Sequence, residues 1–138
     1  MRLCDLGNGI RRATTLALAV TALSSCGSDD KSAQSGGPSG AVCPTDSTLT
    51  YETFGEAFME DYCTRCHSSA LTGAARNGAP SDHNFDTLAL IKETEAEHLD
   101  EQAAAGPDRV NTLMPPSGAK PSEAERRQLG EWLACGTP

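Results

Sequence analysis

Two cysteines and a histidine near the middle of the chain have a spacing that predicts a specific chemistry. The pattern C-x-x-C-H occurs in the segment Cys63-Thr64-Arg65-Cys66-His67. Two thiols at this separation can each add to one vinyl group of a haem, and the next residue then brings an imidazole nitrogen to the iron. The spacing therefore predicts one covalently attached haem c, with Cys63 and Cys66 as its thioether links and His67 as an axial ligand of the iron.

A second candidate ligand is a methionine in a proline-rich stretch. Met114 is followed by Pro115 and Pro116, which stiffen the backbone and keep it out of a helix. A thioether is a soft, neutral ligand that suits haem iron and raises its reduction potential. A lone loop methionine more often fills a gap in the packing, but the upstream C-x-x-C-H motif favours Met114 as the second axial ligand. The alternatives are His83 and His98, which we expect to be solvated.

Three other interpretations of the C-x-x-C-H segment compete with the haem site: a zinc-stabilised binding module, a thioredoxin-like dithiol and two incidental cysteines. A tetrahedral zinc site needs four ligands, the adjacent Cys66 and His67 rarely point at one metal ion, and the sequence has no second C-x-x-C pair. A further alternative keeps the haem but leaves Met114 unbound, with one iron face open for a ligand sensor or a peroxidase-like activity. The chain lacks an obvious distal arginine or histidine constellation for that role.

The composition limits both the size of the core and the class of partner. The chain has 138 residues, enough for one domain, and only 4% of them are aromatic. A buried porphyrin would supply the apolar bulk that such a core lacks. The formal net charge of −8 argues against nucleic acid as a partner, because phosphate binding needs clustered lysines and arginines. A solvated acidic surface explains this charge, and a basic redox partner is the functional alternative.

The N-terminus has the features of a segment that directs export. A basic start precedes an apolar run at residues 14–23, which is too short to span a bilayer and suits the core of a secretory signal. The following Leu-Ser-Ser-Cys resembles the lipobox of bacterial lipoproteins, which implies that Cys26 is lipidated and begins the mature chain. An ordinary signal peptide cleaved nearby is the alternative. We therefore expect export to the periplasmic side of a bacterial membrane and anchoring there through the lipid.

This interpretation divides the chain into three parts. Residues 1–25 would be the lipoprotein signal peptide, and residues 43–138 would be the folded domain. Between them, residues 26–42 are rich in glycine and serine and have no apolar periodicity, so they predict a flexible tether.

Helical periodicity predicts three helical regions that position the candidate ligands. Residues 87–105 predict one bent helix or two short ones, and residues 122–135 predict a closing helix. Residues 50–62 lead directly into the C-x-x-C-H motif and have an aromatic face formed by Tyr51, Phe54, Phe58 and Tyr62.

Local signals predict where these helices begin and where they meet. Asp86 is the expected N-cap of the middle region. The motif Ser122-x-x-Glu125 predicts a capping box at the start of the closing helix. Gly55 and Gly130 are expected to mark a close approach between the first and last helices, because a glycine permits tight backbone contact.

The order of these segments resembles the small class I cytochromes c over residues 43–138. A helix leads into C-x-x-C-H, a loop and middle helices follow, and an M-P-P loop precedes a final helix with an aromatic residue. The resemblance implies an all-α fold in which the N- and C-terminal helices cross around one covalently bound haem. The lipid anchor, the acidic balance and the additional cysteines depart from the smallest soluble members, which leaves the partner open.

The resemblance also implies the function of the site. Iron would be held by His67 and Met114 and would pass single electrons between Fe(II) and Fe(III), with no substrate chemistry and hence no enzyme activity. A backbone carbonyl near Pro80 would orient the second ring nitrogen of His67. The expected protein is a monomeric electron carrier that exchanges electrons with redox partner proteins whose identity the sequence does not name.

Six cysteines are many for a reduced compartment and favour an oxidising one. Four of them have roles in the signal peptide, at the lipidation site and in the haem motif. Cys43 and Cys135 remain, one just before the first helix and one at the end of the last. If those helices cross as the resemblance implies, the two thiols are close enough to form a disulfide.

Overall fold

The chain folds into short helices joined by loops, and the structure, a computed structural model, describes residues 37–138. Apart from isolated bridging residues, no strand occurs among these residues, so the predicted all-α class is confirmed for the described part of the chain. None of the helices in that part is long and apolar enough to cross a membrane. The helices are a π-helical turn at Tyr51–Gly55 that continues into α1 (Glu56–Tyr62), then α2 (Leu88–Ile91), α3 (Ala96–Ala103) and α4 (Glu123–Ala134), with 3₁₀ turns at Gly37–Ser39 and Gly73–Arg76.

The helical segment before the C-x-x-C-H motif starts at a reciprocal cap. The Thr50 hydroxyl accepts a hydrogen bond from the Thr53 amide, and the Thr53 hydroxyl accepts one from the Thr50 amide. The predicted helix follows, although its first turn is π-helical. Its aromatic side chains stack along one face, with ring centroids 5.3 Å apart for Phe54 and Phe58 and 5.1 Å apart for Phe58 and Tyr62. The segment therefore has a continuous aromatic face up to the start of the motif.

The last helix packs against this aromatic face through a fully buried tryptophan. The Trp132 ring lies edge-on to Phe54, with centroids 6.1 Å apart. Gly55 must lack a side chain, because a Cβ there would lie 2.6 Å from Cζ2 of Trp132. The predicted partner of Gly130, the first helix, was wrong. A Cβ at Gly130 would lie 2.5 Å from the Ala105 carbonyl oxygen, so this glycine permits close contact with the segment that follows α3.

The middle of the chain forms two short helices, α2 and α3, and not the single bent helix that was the other prediction for residues 87–105. The α2 helix is capped by Thr87, whose hydroxyl accepts a hydrogen bond from the Leu90 amide at 3.3 Å. The predicted cap, Asp86, was wrong because its carboxylate accepts from the Ser69 amide at 2.6 Å and ties the loop after the motif to this helix. The α4 helix starts with the predicted capping box.

The residues just before the first helix are packed against α3 and α4. Ser39 is fully buried, and both its amide and its hydroxyl donate to the buried carboxylate of Asp100. The Ser39 carbonyl oxygen accepts from the Asp108 amide at 3.0 Å. Ala41 is also buried and packs over Gly130. This short segment is therefore part of the folded domain.

These contacts correct the predicted tether. Residues 37–42 belong to the domain, so a tether over residues 26–42 is too long at its C-terminal end. The glycine- and serine-rich composition could not predict that these residues are folded, because the buried carboxylate that holds them, Asp100, lies on a distant helix. The remaining tether residues, the signal peptide at residues 1–25 and Cys26 lie outside the described residues.

A disulfide joins the cysteine before the first helix to the one after α4. Cys43 and Cys135 are the pair that the resemblance implied, and their Cα atoms are 4.8 Å apart. The bond closes a loop with a sequence separation of 92 residues. Closing so long a loop restricts the unfolded chain more than the folded one, which stabilises the native state.

Replacing both Cys43 and Cys135 by alanine is expected to lower the free energy of unfolding by about 2–5 kcal/mol. Urea unfolding followed by far-UV circular dichroism measures the change. The unchanged protein treated with a thiol reductant is the control and should lose a similar amount of stability. Equal unfolding free energies for the variant and the oxidised protein would show that loop closure does not stabilise this fold.

Candidate functional site

One cavity of about 350 Å³ is lined by all four residues that the sequence predicts to hold a haem. Cys63, Cys66 and His67 come from the turn after α1, and Met114 comes from the loop before α4. The fold therefore brings together two segments that are distant in the chain. Ligand pockets typically hold about 300–1,000 Å³, so the volume suits a bound group. The other walls are mainly apolar and include Phe58, Tyr62, Phe85, Leu99, Ala103 and Pro121.

A tight turn after α1 brings the two cysteines and His67 to the same cavity. The amides of Cys66 and His67 both donate to the carbonyl oxygen of Cys63, at 3.1 and 2.9 Å. Both thiols are free and partly buried, and the Asn77 side chain donates to the Cys66 sulfur at 3.4 Å. Covalent attachment of haem needs two such thiols with an imidazole beside them.

The electrostatics and geometry of the motif disfavour the dithiol and zinc interpretations. Burial raises the pKa of the Cys63 thiol to about 12, whereas a reactive dithiol needs a pKa below that of free cysteine. Cys63 is therefore a thiol and not a thiolate at neutral pH. Among residues 37–138, no three side chains of His, Cys, Asp or Glu are grouped so that they could hold a metal ion. Cys63, Cys66 and His67 thus do not converge as zinc ligands.

The His67 ring is held in one orientation by a carbonyl oxygen and an aromatic ring. Its Nδ1 lies 3.2 Å from the His83 carbonyl oxygen, and its ring stacks on Phe85 with centroids 4.8 Å apart. Burial is the main cause of a lowered pKa for His67, which keeps the imidazole neutral. With Nδ1–H donating to the carbonyl, Nε2 keeps the lone pair that binds a metal ion.

The carbonyl that orients His67 is itself fixed by a buried arginine. Arg76 is 5% exposed and ends the 3₁₀ turn that follows the motif. A guanidinium has five N–H donors, and at Arg76 every one of them has an acceptor. The acceptors are the carbonyl oxygens of Ser68, Ala79, Pro80 and His83 and the side-chain oxygen of Asn84.

The sequence did not predict this role for Arg76. A single basic residue in a loop of small and polar residues is a weak signal, since a solvated arginine would have the same surroundings in sequence. The acceptor for His67 was expected to be a backbone carbonyl near Pro80. It is the carbonyl of His83, three residues further along the same loop, while Arg76 donates to the carbonyl of Pro80 itself. The arginine shapes the loop and thereby selects which carbonyl reaches the ring.

Met114 is fixed through its backbone, and it lines the same cavity as His67. Its amide donates to the Gln102 carbonyl oxygen at 2.8 Å, and its carbonyl oxygen accepts from Arg126 at 3.0 Å. The residue is 36% exposed, whereas the following Pro115 is buried. The loop therefore has a defined position between α3 and α4, and the thioether lies where the cavity meets solvent.

Two further histidines line the cavity, although the sequence predicted them to be solvated. His83 is partly buried, and its ring centroid lies 6.5 Å from that of His67 and 5.3 Å from that of His98. His98 is exposed on α3 but also contributes to the cavity wall. Both residues are therefore near enough to the site to remain alternatives to Met114 as an iron ligand.

The residues of the cavity fit a covalently bound haem. They include two free thiols, a neutral and oriented imidazole, a thioether from a second segment and mainly apolar walls. No family model, curated protein or solved structure matches this chain. The resemblance to class I cytochromes c therefore rests on the motif, on the order of the segments and on the side chains of the cavity.

Proposed function

We propose that this protein is a one-electron carrier of the class I cytochrome c type with one haem c. Cys63 and Cys66 would form the thioether links, and His67 and Met114 would be the axial ligands of the iron. When bound, haem c supplies reversible one-electron exchange between Fe(II) and Fe(III). The observation that carries the proposal is that these four residues, from two distant segments, line one cavity.

The protein's own residues set the reduction potential expected for such a site. Phe58 and Phe85 are almost fully buried and make the inner walls of the cavity apolar. Low polarity and a thioether ligand both favour the reduced state and raise the potential. Arg76 adds a fixed positive charge at the wall, which stabilises the form of the site that holds one more electron. These features together favour a carrier of relatively high potential.

The proposal extends to where the protein works and what it meets. A signal peptide at residues 1–25 would direct export and then be removed, and a lipid on Cys26 would hold a monomeric domain at the periplasmic side of a bacterial membrane. Without residues 1–25, which carry three arginines and one aspartate, the net charge of −8 becomes −10. This negative charge supports redox partner proteins with basic surfaces, because complementary charge speeds their encounter. Such encounters would weaken as the salt concentration rises.

Substituting alanine for Met114 is expected to change the spectrum of the haem-loaded protein. The oxidised protein should lose the weak far-red band of a methionine–iron bond, and the reduced protein should bind carbon monoxide, because the chain would then no longer supply a thioether to the iron. Absorbance spectroscopy of both redox states measures the effect. Met59→Leu is the matched control, since Met59 is a core residue, 2% exposed, outside the cavity walls, and this variant should keep the band.

The same spectra test a second candidate function. Met114 is 36% exposed, so solvent reaches that side of the cavity. This exposure favours, as the second candidate, a haem protein in which one face of the haem is open to external ligands. Such a protein would sense a ligand or react with peroxide. Ready binding of carbon monoxide by the unchanged protein would contradict the electron-carrier proposal and support this alternative. Sharp α and β bands on reduction, without carbon monoxide binding, would support the carrier.

A further inference from the structure

Arg126 is a buried cation on α4 that has no carboxylate partner among residues 37–138. It is 3% exposed. Its Nη1 lies within hydrogen-bond distance of three carbonyl oxygens, those of Ala103 at 2.7 Å, Asn111 at 2.9 Å and Met114 at 3.0 Å, which share its two N–H groups. A buried charge is costly unless hydrogen bonds compensate it, so these carbonyls determine where the guanidinium lies.

The loop that carries Met114 is held from both sides. On the α3 side, the Met114 amide donates to the Gln102 carbonyl oxygen at 2.8 Å. On the α4 side, Arg126 binds the Met114 carbonyl through its side chain and the Ala105 amide through its own carbonyl oxygen, the latter at 2.8 Å. Both backbone polar groups of Met114 are therefore used, and one of them depends on Arg126.

We propose that Arg126 positions Met114 for binding to the iron by holding the Met114 carbonyl against α4. This inference rests on the proposed function, since it needs a haem whose iron Met114 can bind. Hydrogen bonds from a charged donor are stronger than those from a neutral one. A loop whose backbone is already fixed loses less conformational entropy when its side chain becomes a ligand. Arg126 is thus a positioning residue that acts through the loop.

The test compares Arg126→Met and Arg126→Gln with Arg127→Met in the full chain carrying haem. Arg127 is the next residue on α4, is exposed, and donates to Glu123 and to the Gly106 carbonyl oxygen. Both Arg126 variants are expected to lose the far-red methionine–iron band and to bind carbon monoxide at temperatures where far-UV circular dichroism is unchanged. Arg127→Met should behave like the unchanged protein.

Hydrogen exchange at the amide of residue 114, measured in proteins that also carry Met114→Ala so that no thioether can bind the iron, gives a readout that does not depend on iron ligation. Exchange at this amide is expected to be about tenfold faster in the Arg126 variants, the effect of one lost hydrogen bond to a charged donor. Arg127→Met should leave the exchange rate unchanged. Mass spectrometry of peptides that cover the loop measures the rate.

A folded Arg126 variant that keeps the far-red band and excludes carbon monoxide would overturn the inference and leave the proposed function intact. If Arg126→Met does not fold, the inference is tested with Arg126→Gln, which keeps a polar amide. Unfolding of both variants would also overturn it, because Arg126 would then hold the whole domain and not one loop. If the unchanged protein lacks the band, the proposed ligands fail, and amide exchange still shows whether Arg126 holds the loop.

Discussion

Replacing Cys63 and Cys66 together by serine is expected to abolish the retention of haem by the denatured protein. Haem c stays on an unfolded chain only because thioether bonds join it to cysteine sulfurs, and a serine oxygen does not form them under the same conditions. Neither thiol is used by a disulfide, and both line the cavity. Haem staining after denaturing electrophoresis measures the effect, which we expect to be complete.

The other cysteine pair of the described residues provides a matched control. Cys43→Ser with Cys135→Ser also removes two sulfurs, but these form the disulfide and do not line the cavity. That variant should keep covalent haem and lose stability instead. Haem that remains on the chain after serine replaces Cys63 and Cys66 would contradict the role that we assign to the motif.

Substituting methionine for Arg76 is expected to lower the free energy of unfolding by about 3–5 kcal/mol, because each buried acceptor that loses its donor costs about 1–3 kcal/mol before the loop relaxes toward water. Five acceptors depend on this guanidinium, and one of them is the His83 carbonyl that orients His67. Urea unfolding of the two proteins measures the loss. The change removes a charge along with its hydrogen bonds, so it leaves no unpaired buried cation.

Arg109→Met is the control for this experiment. Arg109 is exposed, so its substitution should change the unfolding free energy by no more than about 0.5 kcal/mol. We also expect the Arg76 variant to shift the haem spectrum, since the acceptor for His67 Nδ1 is no longer fixed. An Arg76 variant as stable as the Arg109 variant would show that the loop finds other donors, and that the bonds to Arg76 are not needed.

The parts of the site that depend on local pattern could be predicted from the sequence. The C-x-x-C-H spacing singled out Cys63, Cys66 and His67, the proline-rich stretch singled out Met114, and all four residues line one cavity. Each of these patterns lies within a few residues of the chain. The helices and the α4 capping box were predictable for the same reason, because helical spacing and end signals are also local.

The supports of the site were not predictable, because they join segments that are far apart in sequence. Arg76 and Arg126 look like ordinary solvated arginines until the fold surrounds them with carbonyl oxygens. The buried Asp100 that holds Ser39 likewise makes a glycine- and serine-rich segment part of the domain. Whether an arginine or aspartate is buried in the fold depends on the hydrogen-bond partners that surround it, and not on its residue type alone.

The same limit explains the smaller errors. Asp86 and Thr87 both have side chains suited to an N-cap. Thr87 caps α2, because the carboxylate of Asp86 instead accepts a hydrogen bond from Ser69 in the preceding loop. Gly130 was correctly expected to mark a close approach, but its neighbour is the backbone at Ala105. Sequence shows that a glycine permits contact, whereas only the fold shows with what.

The position of the disulfide also determines how mechanical tension passes through the protein. Cys43 and Cys135 lie near the two ends of the domain, and every candidate haem ligand lies inside the loop that they close. A pull applied before residue 37 would load the contact between Ser39 and Asp100 on α3 first and then the covalent bond. Once that contact opens, force between Cys43 and Cys135 passes through the sulfur bridge, which shields the loops that carry His67 and Met114.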